Sequence, residues 1–173
     1  MNVLAEFKKV TTFVFDIDGV LTDSMVLCLE NGLQARRMNI KDGLGLQMAM
    51  KNGFRVLAIS GSRSEPVIHR LKKLGLTEVH MAVEDKKQFV SDYIDQNKLN
   101  WDELLYMADD LPDLALMKTV GLPCCPADAV PEILESSKYI SPVNGGYGCV
   151  RDVIEKVLKV QDKWIYHQGI NSK

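Results

Sequence analysis

Two kinds of apolar pattern alternate along the chain. Short continuous runs, such as Thr12-Phe13-Val14-Phe15, residues 54–59 and residues 104–107, have the composition of strands buried on both faces. Between them, apolar positions recur at helical spacing. Residues 42–52 carry Leu44, Leu46, Met48 and Met50 and stop before Gly53, residues 65–74 end at Gly75, and residues 86–96 put Phe89, Val90, Tyr93 and Ile94 on one side. A weaker strand falls near residues 78–81 and a helix at 114–120. After Gly121-Leu122-Pro123 come a short strand, a helix at 130–136 and a short edge strand at Tyr139-Ile140. The last helix starts at Val150, with Val153, Ile154, Val157, Leu158 and later Trp164 opposite Arg151, Asp152, Glu155 and Lys156. Residues 168–173 are expected to fray.

Repeated strand–helix units predict an α/β fold, a doubly wound, Rossmann-like parallel sheet in one domain spanning residues 1–173. One segment breaks the pattern. Met25-Val26-Leu27-Cys28-Leu29 and Gln34-Ala35-Arg36-Arg37-Met38 flank Asn31-Gly32, a strong turn signal between two extended runs, so residues 25–38 should project as a β-hairpin. The final helix and tail occupy about residues 149–173.

Composition narrows the function. The 173 residues are 46% hydrophobic with a net charge of -2, so nothing attracts nucleic acid or an anionic membrane, and a small-molecule ligand is expected. The first ten residues carry Glu6, Lys8 and Lys9 and lack an apolar run long enough for a signal or membrane span, which leads to the expectation of a cytoplasmic protein. Of four cysteines, Cys124 and Cys125 are adjacent and none has zinc-ligand spacing, so reduced thiols are expected. His69, His80 and His167 have no partner in sequence and read as surface residues.

Three predicted strand ends are polar: Asp16 and Asp18, then Ser60 and Gly61, then Asp109, Asp110 and Asp113, with Lys86 starting a helix near the same edge. Ligands of an open parallel sheet collect there. Clustered carboxylates repel one another unless a lysine or a cation neutralises them, which predicts a hard divalent metal, magnesium.

These residues, in this order, resemble the four signatures of the haloacid dehalogenase superfamily: Asp16-Ile17-Asp18-Gly19 after the first strand, Ser60 after the second, Lys86, and the acidic pair Asp109-Asp110. The resemblance implies a phosphatase with Asp16 as nucleophile and Asp18 as general acid and base. It further implies that Ser60 and the Gly61 amide hold the phosphoryl oxygens while Lys86 balances the charge. The implied magnesium ligands are Asp16, the backbone carbonyl of Asp18 and Asp109, with Asp110 and Asp113 supporting or capping. The glycine usual before the acidic pair is Ala108 here.

More closely, Asp16-Ile17-Asp18-Gly19-Val20-Leu21-Thr22-Asp23, Lys41-Asp42-Gly43-Leu44-Gly45, Asp109-Asp110-Leu111-Pro112-Asp113 and Gly145-Gly146-Tyr147-Gly148 resemble the capless, tetrameric family of 3-deoxy-D-manno-octulosonate 8-phosphate phosphatases. That family implies hairpins joined between subunits, sites closed by a neighbouring chain, a sugar acid phosphate substrate and a step toward lipopolysaccharide. A cation should meet the sugar carboxylate, and Arg63, Arg151 and Lys41 are the candidates. One departure is that many members place arginine directly after the Ser/Thr-Gly pair, where this chain has Ser62 and then Arg63. The related nine-carbon phosphatase acting on 2-keto-3-deoxy-D-glycero-D-galacto-nononate 9-phosphate shares nearly all these motifs. A receiver-like signalling domain and an inactive oligomerisation module are the alternatives from other classes.

Overall fold

The structure, a computed structural model, describes residues 3–166 and residue 170. Its elements run α1 (Val3–Lys9), β1 (Thr12–Asp16), a hairpin of β2 (Leu27–Cys28) and β3 (Gln34–Ala35), α2 (Ile40–Lys51), β4 (Arg55–Ile59), α3 (Glu65–Lys73), β5 (Glu78–His80), α4 (Lys86–Asn97), β6 (Leu104–Met107), α5 (Leu114–Met117), β7 (Leu122–Cys125), α6 (Pro131–Ser136), β8 (Tyr139–Ile140) and α7 (Cys149–Val160). Six strands make one parallel sheet in the order β5-β4-β1-β6-β7-β8. Numbered among themselves, these strands follow the doubly wound order 3-2-1-4-5-6. A receiver-like domain has the order 2-1-3-4-5, so topology removes that alternative.

All five residues of β1 are buried, as a central strand covered on both faces requires. The pleat sends Phe13 and Phe15 to one face and Val14 to the other. Phe7 of α1, Leu46 of α2, Val67 of α3 and Val153 of α7 pack on the first face. Val90 of α4, Leu116 of α5 and Ile133 of α6 pack on the second. This two-sided layering is what right-handed crossovers around a parallel sheet produce.

Some local expectations change. The helix α1 buries only Phe7, too little for a readable period in sequence. The helix α5 stops at Met117, short of the 114–120 expected. Trp164 is not on the last helix, which ends at Val160; its ring instead lies 4.5 Å from the Arg151 guanidinium. His167 and most of the tail expected to fray lie outside the described residues, and Ile170, which is described, is buried. The four cysteines are free thiols, three of them buried. Among the described residues no helix is long and apolar enough to cross a membrane.

The contact between α2 and α7 fixes the base of the hairpin. α2 starts two residues earlier than its apolar period indicates because the Asn39 side chain accepts the Lys41 amide at 2.8 Å. A Cβ at Gly45 would lie 3.3 Å from Cα of Arg151, so the glycine lets the two helices approach closely. Asp42, 1% exposed, reaches across and accepts the Arg151 amide at 2.6 Å. This caps α7 from outside, since Gly148 at its own N-cap has no side chain to do so. The other carboxylate oxygen of Asp42 has no hydrogen-bond partner among the described residues.

Burial raises the Asp42 pKa from 3.8 to about 6, with the Arg151 amide working in the opposite direction. A carboxyl whose pKa is higher folded than unfolded stabilises the fold in its protonated form, and that contribution is lost as pH rises through the folded value. Asp42→Asn keeps an acceptor for the amide but does not titrate. In urea unfolding, the native chain should therefore gain on the order of 1 kcal/mol relative to Asp42→Asn between pH 7 and pH 5. A stability difference that does not change with pH would contradict this account of Asp42.

Candidate active site

The register of the three central strands assembles the site. Asp16 pairs with Ile59 and Phe15 with Met107, so the residues that follow β4 and β6 emerge beside the end of β1. There they line a cleft of about 390 Å³ with Asp16, Asp18, Ser24, Ser60, Gly61, Ser62, Lys86, Asp109, Asp110 and Asp113 on its walls. Eight residues singled out from sequence thus meet in one place: Asp16, Asp18, Ser60, Gly61, Lys86, Asp109, Asp110 and Asp113. It lies where the strand order reverses between β1 and β6.

Asp16 is two residues beyond Val14, so the pleat turns its side chain to the face where α4 begins. Lys86, the first residue of α4, places Nζ 2.8 Å from Oδ1 of Asp16 and 2.7 Å from Oδ1 of Asp113. The Tyr106 hydroxyl, from within β6, donates to that same Asp113 oxygen at 2.5 Å. All four side chains are buried. Lys87 is exposed, which decides between the adjacent lysines. Asp110 accepts the Leu111 amide and caps the turn, whereas Asp113 belongs to the buried ion cluster.

The electrostatics leave the cleft short of positive charge. Burial raises the Asp16 pKa against the pull of Lys86. Asp109 is raised to about 6 by burial, partly offset by the Ser24 hydroxyl at 3.3 Å. Burial also works against the charge on Lys86, but Asp16 and Asp113 outweigh it and hold the ammonium pKa above its ordinary value. One ammonium serves two carboxylates, and Asp109 has no ion-pair partner among the described residues.

Among the described residues no three His, Cys, Asp or Glu side chains gather as a metal cage. The cleft is lined by the carboxylates Asp16, Asp18, Asp109 and Asp110, with no histidine or cysteine among its described lining residues. This small, hard set fits a cation that keeps several waters, as magnesium does, and offers nothing to a metal that prefers nitrogen or sulfur.

Gly19 makes the close approach of these loops possible. Its φ is +85°, and a Cβ there would stand 1.9 Å from Oδ2 of Asp109. The Gly146 amide donates to the Val20 carbonyl at 2.9 Å, which ties the Gly145-Gly146-Tyr147-Gly148 loop to the loop that follows Asp16.

Three basic candidates do not line the cleft. Arg63 is exposed, one position past the cleft-lining Ser62. Lys41 faces a separate cleft with Asp23, Arg37 and Tyr147, because Asp42 turns that first helical turn inward. The Arg151 guanidinium is occupied by Glu155 at 3.0 Å and by the Trp164 ring. The basic group that does reach the site is Arg36 of the hairpin, with Nε 2.6 Å from Oδ1 of Asp18. Sequence reasoning placed Arg36 in a strand, and nothing in a strand pattern tells how far a side chain reaches toward a distant loop.

No family model matches the chain. It is 30% identical over 162 residues to the 3-deoxy-D-manno-octulosonate 8-phosphate phosphatase KdsC of Escherichia coli K12, covering 94% of this chain and 86% of that one. Among solved structures, a Legionella pneumophila protein described only as a HAD superfamily (subfamily III A) hydrolase superposes with a TM-score of 0.90 at 34% identity, covering 92% of this chain and 88% of that chain. The 3-deoxy-D-manno-octulosonate 8-phosphate phosphatase of Moraxella catarrhalis, solved with magnesium, phosphate and KDO, superposes with a TM-score of 0.90 at 28% identity, covering 94% and 93%. The fold is thus that of the haloacid dehalogenase superfamily hydrolases. Within that superfamily, the chain belongs to the family of 3-deoxy-D-manno-octulosonate 8-phosphate phosphatases.

Proposed function

We propose that this chain is a magnesium-dependent phosphomonoester hydrolase that releases phosphate from 3-deoxy-D-manno-octulosonate 8-phosphate, with Asp16 as the nucleophile. The observation that carries this reading is the Asp16 carboxylate at the strand end, 2.8 Å from a buried lysine and in one cleft with Asp18, Ser60 and Asp109. The Moraxella relative, which holds magnesium, phosphate and KDO together, supports it.

In this reading Asp16 attacks phosphorus in line, and the bond from phosphorus to the sugar oxygen breaks. Asp18 gives that oxygen a proton, then takes one from the water that hydrolyses the aspartyl phosphate. The Ser60 hydroxyl and Gly61 amide receive the phosphoryl oxygens, and Lys86 keeps Asp16 in place and balances charge. Asp16, Asp109 and the Asp18 carbonyl hold magnesium, which supplies positive charge to the phosphoryl group. Of the three basic candidates for the sugar carboxylate, Arg63 is the one beside the cleft. The enzyme would act in the cytoplasm on the way to lipopolysaccharide.

Among the described residues no cap domain covers the cleft, and the hairpin exposes Met25, Leu27 and Leu33 at 70%, 63% and 63%. A lone two-stranded hairpin gains little stability in water, and such an apolar surface calls for a partner. Further copies of this chain, in a tetramer, are proposed to cover it and close the sites. An inactive oligomerisation module is disfavoured by the intact ion cluster around Asp16.

Two outcomes test this function. With magnesium, phosphate release should be faster from the eight-carbon substrate than from its nine-carbon homologue or from 4-nitrophenyl phosphate, and excess chelator should abolish all three. Faster release from the nine-carbon ester would move the substrate assignment to the sibling family, and full activity in chelator would contradict the metal. Sedimentation at micromolar concentration should give a tetramer, and a fully active monomer would refute closure by a neighbouring subunit.

A further inference from the structure

Asp18 is held by two side chains from separate parts of the chain, neither of which has a role in the reaction described above. Arg36, just after β3, donates from Nε to Oδ1 at 2.6 Å, and its side chain is 8% exposed although the hairpin around it is open to solvent. Ser62, in the loop after β4, donates from its hydroxyl to Oδ2 at 2.7 Å. Ser62 is itself fixed, with its amide and its hydroxyl oxygen each 3.0 Å from Oγ of Ser60.

A carboxylate offers about four lone-pair sites, and these two bonds take one on each oxygen. The Asp18 side chain is still 35% exposed and lines the cleft, so free sites remain for a proton to pass to or from a reacting group. An aspartate in a loop is otherwise free to rotate, and a catalytic group misplaced by ~1 Å can cost ~10²-fold in rate.

We propose that Arg36 and Ser62 are positioning residues that fix the plane of the Asp18 carboxylate, so that one of its remaining lone pairs faces the leaving oxygen. The proposal rests on the reading of Asp18 as general acid and base. It also gives Ser62 a use where the family resemblance leads one to expect arginine. A short hydroxyl bridges Ser60 and Asp18, and the guanidinium arrives from the hairpin. The acid and base of the reaction is therefore oriented partly by the segment that is proposed to meet neighbouring subunits.

A strut that merely anchors the hairpin and a clamp that aims a proton donor differ in one measurable respect. A badly aimed acid matters little when the leaving group departs readily and much when it does not. Arg36→Ala and Ser62→Ala, each as the full chain with magnesium, should be assayed on aryl phosphates from 2,4-dinitrophenyl to phenyl phosphate. Each variant should keep kcat/KM within roughly threefold on the dinitrophenyl ester and lose roughly 10- to 100-fold on the phenyl ester, part of the ~10²–10⁴-fold that acid–base assistance supplies. Ser62→Ala removes one hydroxyl outside the hairpin, so it reports on the clamp even if Arg36→Ala disturbs folding or assembly. A uniform loss across the series in Ser62→Ala, or no loss, overturns the proposal. Asp18→Asn should show the same steepening, and a flat response there overturns the assignment of Asp18 and this proposal with it.

Discussion

The buried ammonium of Lys86 is the interaction on which the site depends. It stands between Asp16 and Asp113, at 2.8 and 2.7 Å, and makes it possible to bury two carboxylates at the edge of an apolar sheet. Removing one partner of a buried ion pair typically costs about 3–5 kcal/mol, because the other charge is left uncompensated. The cluster needs the helix start of α4, the strand end of β1 and the turn after β6 in one place, so it is a product of the doubly wound topology. Tyr106 extends it into the sheet interior, where a fully buried hydroxyl finds its acceptor in Asp113.

The same cluster is short of positive charge, and that shortage faces the cleft. Asp109 is pushed up to about 6 by burial, and its side chain accepts from the Ser24 hydroxyl and has no ion-pair partner among the described residues. Gly19 holds open the space that brings Asp109 against the loop that follows Asp16, since any side chain there would overlap its carboxylate. A scaffold that concentrates carboxylates this way stores affinity for a hard cation and, through it, for a phosphate ester. The hairpin enters the same economy through Arg36, whose bond to Asp18 links a surface-exposed segment to the centre of the site.

Much of this was legible in the chain. The apolar run into Asp16, the helix period behind Lys86 and the polar ends of β4 and β6 mark the sheet edge because burial dictates residue type there. Less legible were features fixed by distance rather than pattern. Arg36 and Ser62 meet Asp18 across 18 and 44 residues, and Asp42 caps α7 across 109. Such contacts leave no periodic trace, and a serine or arginine in a loop reads the same whether it is solvated or clamped. Trp164 misleads for the opposite reason: it continues the spacing of α7 although the helix stops at Val160, and it packs back on Arg151.

The central claim is that Asp16 forms a covalent bond to phosphorus. The direct measurement is acid quench of the magnesium-loaded enzyme within milliseconds of mixing with labelled substrate, followed by mapping of the acyl phosphate by peptide mass spectrometry. The account predicts transient label on the peptide carrying Asp16, absent from Asp16→Asn and never accumulating beyond one phosphate per chain. Stable turnover with no labelled protein, or turnover retained in Asp16→Asn, would contradict it.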